Sequence, residues 1–142
     1  MRTAATVVVA ALGCLGVWAP AAGQKIVHQP AKPNFDVSGA ENFRQYCAPC
    51  HGASGKGDGP VAKALKTPPA DLTTIARRRH GEFPQDAIRA MILGEQDLPS
   101  HGDREMPVWG PIFLDISGKD TMLYEQRMTN LLNYLRSIQV KP

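Results

Sequence analysis

The amino-acid sequence predicts an all-α protein of about four helices, and three observations support this fold class. Apolar residues in the C-terminal part of the chain recur at intervals of three and four, the spacing of one helical face. No segment alternates convincingly between apolar and polar residues, as a half-buried strand would. There are no internal repeats, and the 142 residues suffice for one modest domain.

The composition is that of an ordinary soluble protein, with 43% hydrophobic and 20% charged residues. The net charge of +3 is too small to indicate a nucleic-acid partner. Only 6% of the residues are aromatic, which is low for a domain of this size. A bound hydrophobic cofactor could supply the missing core volume.

Residues 1–23 are predicted to form a secretory signal peptide. Arg2 provides the initial positive charge, residues 6–18 are rich in Ala, Val and Leu, and residues 19–23 are mostly small. Cleavage is expected within residues 22–24. The mature chain would then be periplasmic, without stable insertion into the membrane.

Two alternatives to a cleaved signal remain open. The uncharged stretch approaches the length that spans a bilayer, so it could be retained as a membrane anchor. Cys14 could instead carry a lipid, although the residues before it make a poor lipidation site. If Cys14 leaves with the signal, Cys47 and Cys50 are the remaining cysteines. In an oxidising compartment they would form a disulfide unless another group binds them.

Residues 38–142 are predicted to form the domain, after an extended N-terminal tether over residues 24–37 that contains two prolines. Ser38 is expected to be the N-cap of the first helix, with Glu41 as its capping-box partner. Gly39, Phe43 and Cys47 are spaced four residues apart, so they should share one face of this helix.

The middle of the chain is rich in glycine and proline. Residues 52–59 include four glycines and predict a flexible connector; no Ser or Thr follows Lys56, so the phosphate-loop pattern fails. Helices are predicted over residues 60–66 and 84–94, followed by a loop over residues 95–111. The last helix has the clearest apolar stripe: Tyr124, Met128, Leu131, Leu135 and Ile138.

The motif that points to chemistry is Cys47-Ala48-Pro49-Cys50-His51, a C-x-x-C-H sequence typical of c-type haem attachment. Residues i, i+3 and i+4 share one face of a helical turn. Both thiols can therefore reach the two vinyl groups at one porphyrin edge. His51 would then lie beneath the ring, where its imidazole can bind the iron.

Two other interpretations of this motif are weaker. A thioredoxin-like redox pair lies where a strand meets a helix, whereas this motif ends an amphipathic helix. A zinc site would need a second Cys or His pair at ligand spacing, but His80 and His101 stand alone in the sequence.

The sequence resembles the class I cytochrome c family from residue 39 to about residue 137, and most closely the short bacterial single-haem cytochromes that also occur as domains of cbb3-type oxidases. The shared motifs are Gly39-x-x-x-Phe43-x-x-x-Cys47, then C-x-x-C-H, Gly57-Asp58-Gly59-Pro60, Met106-Pro107-x-x-Gly110 and Leu131-x-x-Tyr134. The resemblance implies a cytochrome c fold around one covalently bound haem c.

Candidates for the second axial ligand of the iron are the remaining methionines and histidines: Met91, Met106, Met122, Met128, His28, His80 and His101. Met91, Met122 and Met128 are expected to fill the core instead. Met106 precedes Pro107 in a polar loop, where packing hardly requires a methionine. The resemblance implies Met106 as the ligand, and His101 is the alternative.

The resemblance also implies supporting contacts. The ring N–H of the proximal His51 should donate to a proline carbonyl, here that of Pro60. The first and last helices should cross with Gly39 and Phe43 against Leu131 and Tyr134. Trp109 should lie against the haem, although core packing explains that residue equally well.

A haem iron bound by His51 and Met106 has no open position for a substrate. The expected function is therefore one-electron transfer between a donor and an acceptor redox protein, and not catalysis. Alternatives are a cytochrome subunit of a dehydrogenase or oxidase complex, and a small haem enzyme or gas-binding protein with a displaceable sixth ligand. A basic surface that includes Lys56, Lys63, Lys66 and residues 77–79 could steer an acidic partner, or could be ordinary solvated charge.

Overall fold

The computed structural model describes residues 32–95 and 106–141. The predicted signal peptide, most of the tether, His28 and His101 lie outside these residues. Within them the fold is all-helical, as predicted, and contains no strand. The α-helices are α1 (Gly39–Asn42), α2 (Ala48–His51), α3 (Gln85–Leu93), α4 (Trp109–Ile116) and α5 (Thr121–Ser137).

The first helical segment runs without a break from α1 through a π-helical turn, Phe43–Cys47, into α2. Ser38 is its N-cap, as predicted, and its hydroxyl accepts from the Glu41 N–H at 3.5 Å. The capping box is incomplete, however. The Glu41 carboxylate pairs with Arg44, and the Ser38 N–H instead donates to Asp36 Oδ1 at 2.8 Å.

The π-helical turn places each residue above the one five positions earlier. The Ala48 N–H accordingly donates to the Phe43 carbonyl. Asn42 therefore lies one turn below Cys47, which the assumed four-residue spacing did not predict. Such π turns occur frequently at functional sites.

The first helical segment crosses α5 through the predicted residues. A Cβ on Gly39 would lie 2.6 Å from the Asn130 carbonyl carbon and 3.0 Å from Tyr134 Cβ, so only glycine permits this approach. The Phe43 and Tyr134 rings lie 5.1 Å apart between centroids. Phe43 and Leu131 are each only 1% exposed. The crossing implied by the resemblance is present.

The apolar stripe of α5 supplies much of the core, and Met128, Leu131 and Leu135 are all buried. Asp120 caps this helix by accepting from the N–H groups of Met122 and Leu123. The expectation that Met91 and Met122 fill the core is wrong, because they are 41% and 79% exposed.

Three predicted elements differ from the structure. The helix expected over residues 60–66 is a single 3-10 turn, Ala62–Ala64. No helix is predicted over the basic run, which forms another 3-10 turn, Arg77–Arg79. The loop expected to reach residue 111 ends earlier, because α4 begins at Trp109. Pro111 does not prevent this helix, since a proline in the first turn removes no intrahelical hydrogen bond.

No helix in the described part of the chain is both long and apolar enough to cross a membrane.

Candidate haem-attachment site

Cys47, Cys50 and His51 lie at the C-terminal end of the first helical segment, each partly exposed. The two thiols are free and form no disulfide. Burial raises the pKa of Cys47 to about 12, and the neighbouring Cys50 adds to this effect, so the Cys47 thiol is neutral. The motif follows an N-capped helix and not a strand, which distinguishes it from a thioredoxin-like pair.

His51 is held by a backbone carbonyl. Its Nδ1 lies 3.0 Å from the Ala70 carbonyl oxygen. A carbonyl oxygen only accepts, so Nδ1 carries the proton and Nε2 keeps its lone pair for a metal. Pro60, implied by the resemblance, is not the partner. The residues on either side of Pro60, Gly59 and Val61, donate to carbonyls at the end of α2. Residue 70 lies beside His51 because the nearby Leu72 N–H donates to the Gly55 carbonyl at 2.7 Å.

The loop at residues 52–59, expected to be a flexible connector, instead caps the helix that carries the motif. A helix ends with four carbonyls that have no partner within it. Here Ala48, Pro49, Cys50 and His51 all receive a backbone N–H. The donors, in that order, are Gly52 (2.8 Å), Val61 (3.0 Å), Gly59 (3.1 Å) and Gly57 (2.7 Å).

The glycines in this loop are required by close packing. A Cβ on Gly59 would lie 2.5 Å from the Cys50 carbonyl oxygen. Gly57 has a φ of 84° and lies against Pro69, so a side chain there would be strained as well as crowded. The loop thus fixes both the end of the attachment helix and the strip of backbone that orients His51.

Met106 is half-buried and packs against the hydrophobic core, three residues before α4 begins. The first turn of α4 approaches the attachment helix through an aromatic cluster of Tyr46, Trp109 and Phe113. The Trp109 ring lies 5.7 Å from Tyr46 and 5.7 Å from Phe113 between centroids, and Tyr46 lies 5.5 Å from Phe113. Because Tyr46 precedes Cys47, the cluster connects the segment after Met106 to the attachment motif.

The other candidate ligands in the described part of the chain are less suitable. His80 is exposed, at the left-handed end of a 3-10 turn. Met91 and Met122 are exposed, at 41% and 79%, and Met128 is fully buried among core side chains. Among the described residues, no group of three or more His, Cys, Asp and Glu side chains is arranged to hold a metal ion.

The residues present fit a covalently attached haem. Two uncommitted thiols lie one turn apart, and the next residue is a histidine with Nε2 free as a donor to iron. Cys47 packs against the hydrophobic core together with other half-buried apolar side chains: Tyr46, Leu72, Met106 and Trp109. Burial of these apolar side chains beneath a porphyrin ring would lower the free energy of the bound state.

The fold and the attachment motif together define a c-type cytochrome domain. Residues 36–120 match the family described as Cytochrome C oxidase, cbb3-type, subunit III. Because the match covers more than half of the chain, the protein belongs to this family. No curated protein and no solved structure matches the chain. Membership implies haem c binding and haem-based electron transfer.

Sequence reasoning missed two features, one at this site and one in the core. Ala70 could not be found, because every residue carries a carbonyl and only the fold selects one. Arg127 carried a detectable signal: it lies three residues after Tyr124 and four before Leu131, within the apolar stripe of α5. A charged residue at that position predicts a buried cation or a break in the stripe.

Proposed function

We propose that this protein is an exported, periplasmic electron carrier with one haem, attached through thioethers to Cys47 and Cys50. His51 and Met106 are the axial ligands in this proposal. The observation that carries it is the bond from His51 Nδ1 to the Ala70 carbonyl, which fixes the tautomer that a haem iron requires. Bound haem supplies a one-electron couple between ferric and ferrous iron.

Each residue has a separate part in this function. The two cysteines hold the ring irreversibly, and His51, whose ring is oriented by the hydrogen bond to Ala70, binds the iron. Met106 contributes a soft, neutral thioether, which favours ferrous iron and raises the potential relative to a second histidine. With both axial positions filled, no site remains for a substrate, so the protein transfers electrons without transforming a substrate.

A second candidate function is that of a cytochrome subunit in an oxidase complex. The name of the matching family, a subunit of a cbb3-type oxidase, favours it. Both candidates use the same haem site and differ in whether the chain diffuses or stays bound. Purification from its native membrane and soluble fractions separates them, since a subunit co-purifies with the other chains of its complex.

The first prediction tests attachment. The haem should remain with the wild-type protein through denaturation and acid–organic extraction, because thioether bonds survive both. Mass spectrometry should show the mature chain plus one haem. Cys47→Ser combined with Cys50→Ser should give no covalent haem, while Met122→Ala, a change at an exposed residue, should leave attachment intact. Release of haem from the wild-type chain by extraction would show that attachment is not covalent.

We further propose that the partner is a redox protein with an acidic docking surface. An open depression of about 430 Å³ is lined by Arg77, Arg136 and Lys141, and none of the described residues lining it is acidic. Arg136 lies over the Phe83 ring at 5.5 Å and donates to Gln85 Oε1. Of the predicted basic patch, Arg77 lines the depression. Arg78 donates to the Asp71 carbonyl and to Thr74 Oγ1.

The second prediction concerns this docking surface. Arg77→Gln and Arg136→Gln should each slow electron exchange with the acidic partner at low ionic strength, and the difference from wild type should vanish as salt is added. Arg89→Gln is the matched control, because Arg89 already pairs with Glu125 at 2.9 Å. Stopped-flow rates across a salt series measure the effect. Rates that do not change with ionic strength would eliminate a docking role for the depression.

A further inference from the structure

Arg127 is completely buried in the core, at 0% exposure, although it carries a positive charge. Its Nε donates to Ser117 Oγ at 3.3 Å. Its two terminal nitrogens donate to the Asp36 carbonyl at 2.9 Å, to Asn42 Oδ1 and to the Asn34 carbonyl. All four acceptors are neutral.

No carboxylate is bonded to this buried cation in the described part of the chain. Asp36 offers its backbone carbonyl to Arg127, while its exposed carboxylate accepts from the Ser38 N–H. The charge of this carboxylate acts on Arg127 only through space. Burial lowers the pKa of Arg127, but a guanidinium stays protonated in proteins. The core therefore contains a positive charge to which no carboxylate is bonded, and the exposed Asp36 carboxylate offsets it only through solvent-screened space.

The contacts of Arg127 connect this charge to the attachment motif, so a haem bound there would be affected by it. Its partner Asn42 lies one π-helical turn below Cys47. The neighbouring core side chains Phe43, Met128 and Leu131 are at most 1% exposed, so the surroundings are apolar. Charges in such surroundings are screened far less than charges at the surface, and they act over longer distances.

We propose that Arg127 is a tuning residue that raises the reduction potential of a haem bound at Cys47, Cys50 and His51. Ferric haem carries one more positive charge than ferrous haem, so a fixed cation nearby disfavours the ferric state. The inference rests on the proposed function, since it needs a haem at this site. Arg127 also holds residues 34–38 against α5, and the experiment must separate that structural role from the electrostatic one.

The test compares reduction potentials of purified holoprotein variants. Arg127→Met removes the charge but retains much of the side-chain volume, and the potential should fall. Arg127→Lys retains the charge but loses the planar hydrogen-bonding geometry, and most of the wild-type potential should be restored. Thermal unfolding of both variants monitors the structural role, which depends on the hydrogen bonds and not on the charge alone.

A second pair of variants leaves Arg127 in place. Ser117→Asp sets a carboxylate beside Nε, and Ser117→Asn has nearly the same shape without the charge. The aspartate variant should have the lower potential, and the difference should persist at high ionic strength, because the pair is buried. Arg44→Met, at an exposed cation outside the docking depression, should give at most a small shift that salt removes.

The possible outcomes are distinct. The inference is wrong if the reduction potential of Arg127→Lys falls as far as that of Arg127→Met. It is also wrong if Ser117→Asp and Ser117→Asn have equal potentials. In either case Arg127 has a structural role only. If the wild-type protein carries no covalent haem, the proposed function fails instead. Should Arg127→Met not fold, the Ser117 pair still decides the question.

Discussion

Met106→Ala is expected to leave haem covalently bound while lowering its reduction potential. Cys47, Cys50 and His51 remain in place, so attachment and proximal ligation are unaffected. Loss of the thioether removes a ligand that favours ferrous iron, so the ferric state becomes relatively more stable. The oxidised protein should also lose the weak charge-transfer band at the red end of its spectrum that marks a sulfur–iron bond. Optical redox titration measures both effects in one sample.

The vacated position in Met106→Ala should also accept small ligands or peroxide, which converts a carrier into a slow haem enzyme. Wild-type protein should not bind such ligands, because both axial positions are filled. Titration with a small ligand tests this consequence, and the shift of the main absorption band measures the binding. The alternative of a gas-binding protein requires the opposite, namely ligand binding by the unmodified chain.

The other methionines provide the controls. Met91→Ala and Met122→Ala change exposed side chains, so both should keep the wild-type spectrum and alter the free energy of unfolding by no more than about 0.5 kcal/mol. Met128→Ala creates a core cavity and should cost about 2–5 kcal/mol of stability without loss of the charge-transfer band. If Met106→Ala keeps the wild-type spectrum and potential, the sixth ligand is another residue, and His101 should be tested next.

The elements predicted correctly from the sequence are those whose pattern is local and repeated. The stripe in α5 extends over four turns, so its period is unmistakable. Ser38 is the N-cap it was expected to be, and the helix predicted over residues 84–94 ends at Gly94. Helix α4 was missed because Gly110 and Pro111 are ordinary loop residues. Only their position in the first turn makes them compatible with a helix.

At the site, the sequence predicts which side chains carry the chemistry but not the backbone that positions them. The spacing of Cys47, Cys50 and His51 follows from helix geometry and needs no tertiary information. The bond to Ala70 and the capping of α2 by residues 52–61 use backbone groups, which every residue possesses. Their glycines suggested flexibility, whereas the fold uses them for close approach to the helix end.

Gly39→Ala is expected to destabilise the holoprotein more than any other single-methyl addition in the first helical segment. The new Cβ would lie 2.6 Å from the Asn130 carbonyl carbon, and this atom belongs to the backbone of α5. A helix backbone cannot rotate away as a side chain can, so the two helices must separate. Overpacking of this kind typically costs about 1–3 kcal/mol, which for a domain of this size corresponds to a fall in melting temperature of roughly 5–20 °C.

Gly110→Ala is the matched control, because Gly110, like Gly39, lies in the first turn of a helix and faces a residue of another helix. Its added Cβ would lie 3.2 Å from Leu93 Cδ2, the end of a side chain that can move. The melting temperature of this variant should stay close to that of wild type, whereas that of Gly39→Ala should fall. Separation of the helices would also displace Phe43 from Tyr134, so the fall should be accompanied by a loss of near-ultraviolet circular dichroism from these rings. Equal melting temperatures for the two variants would mean that α1 and α5 can accommodate a methyl group, and that the close approach at Gly39 does not hold the attachment helix in place.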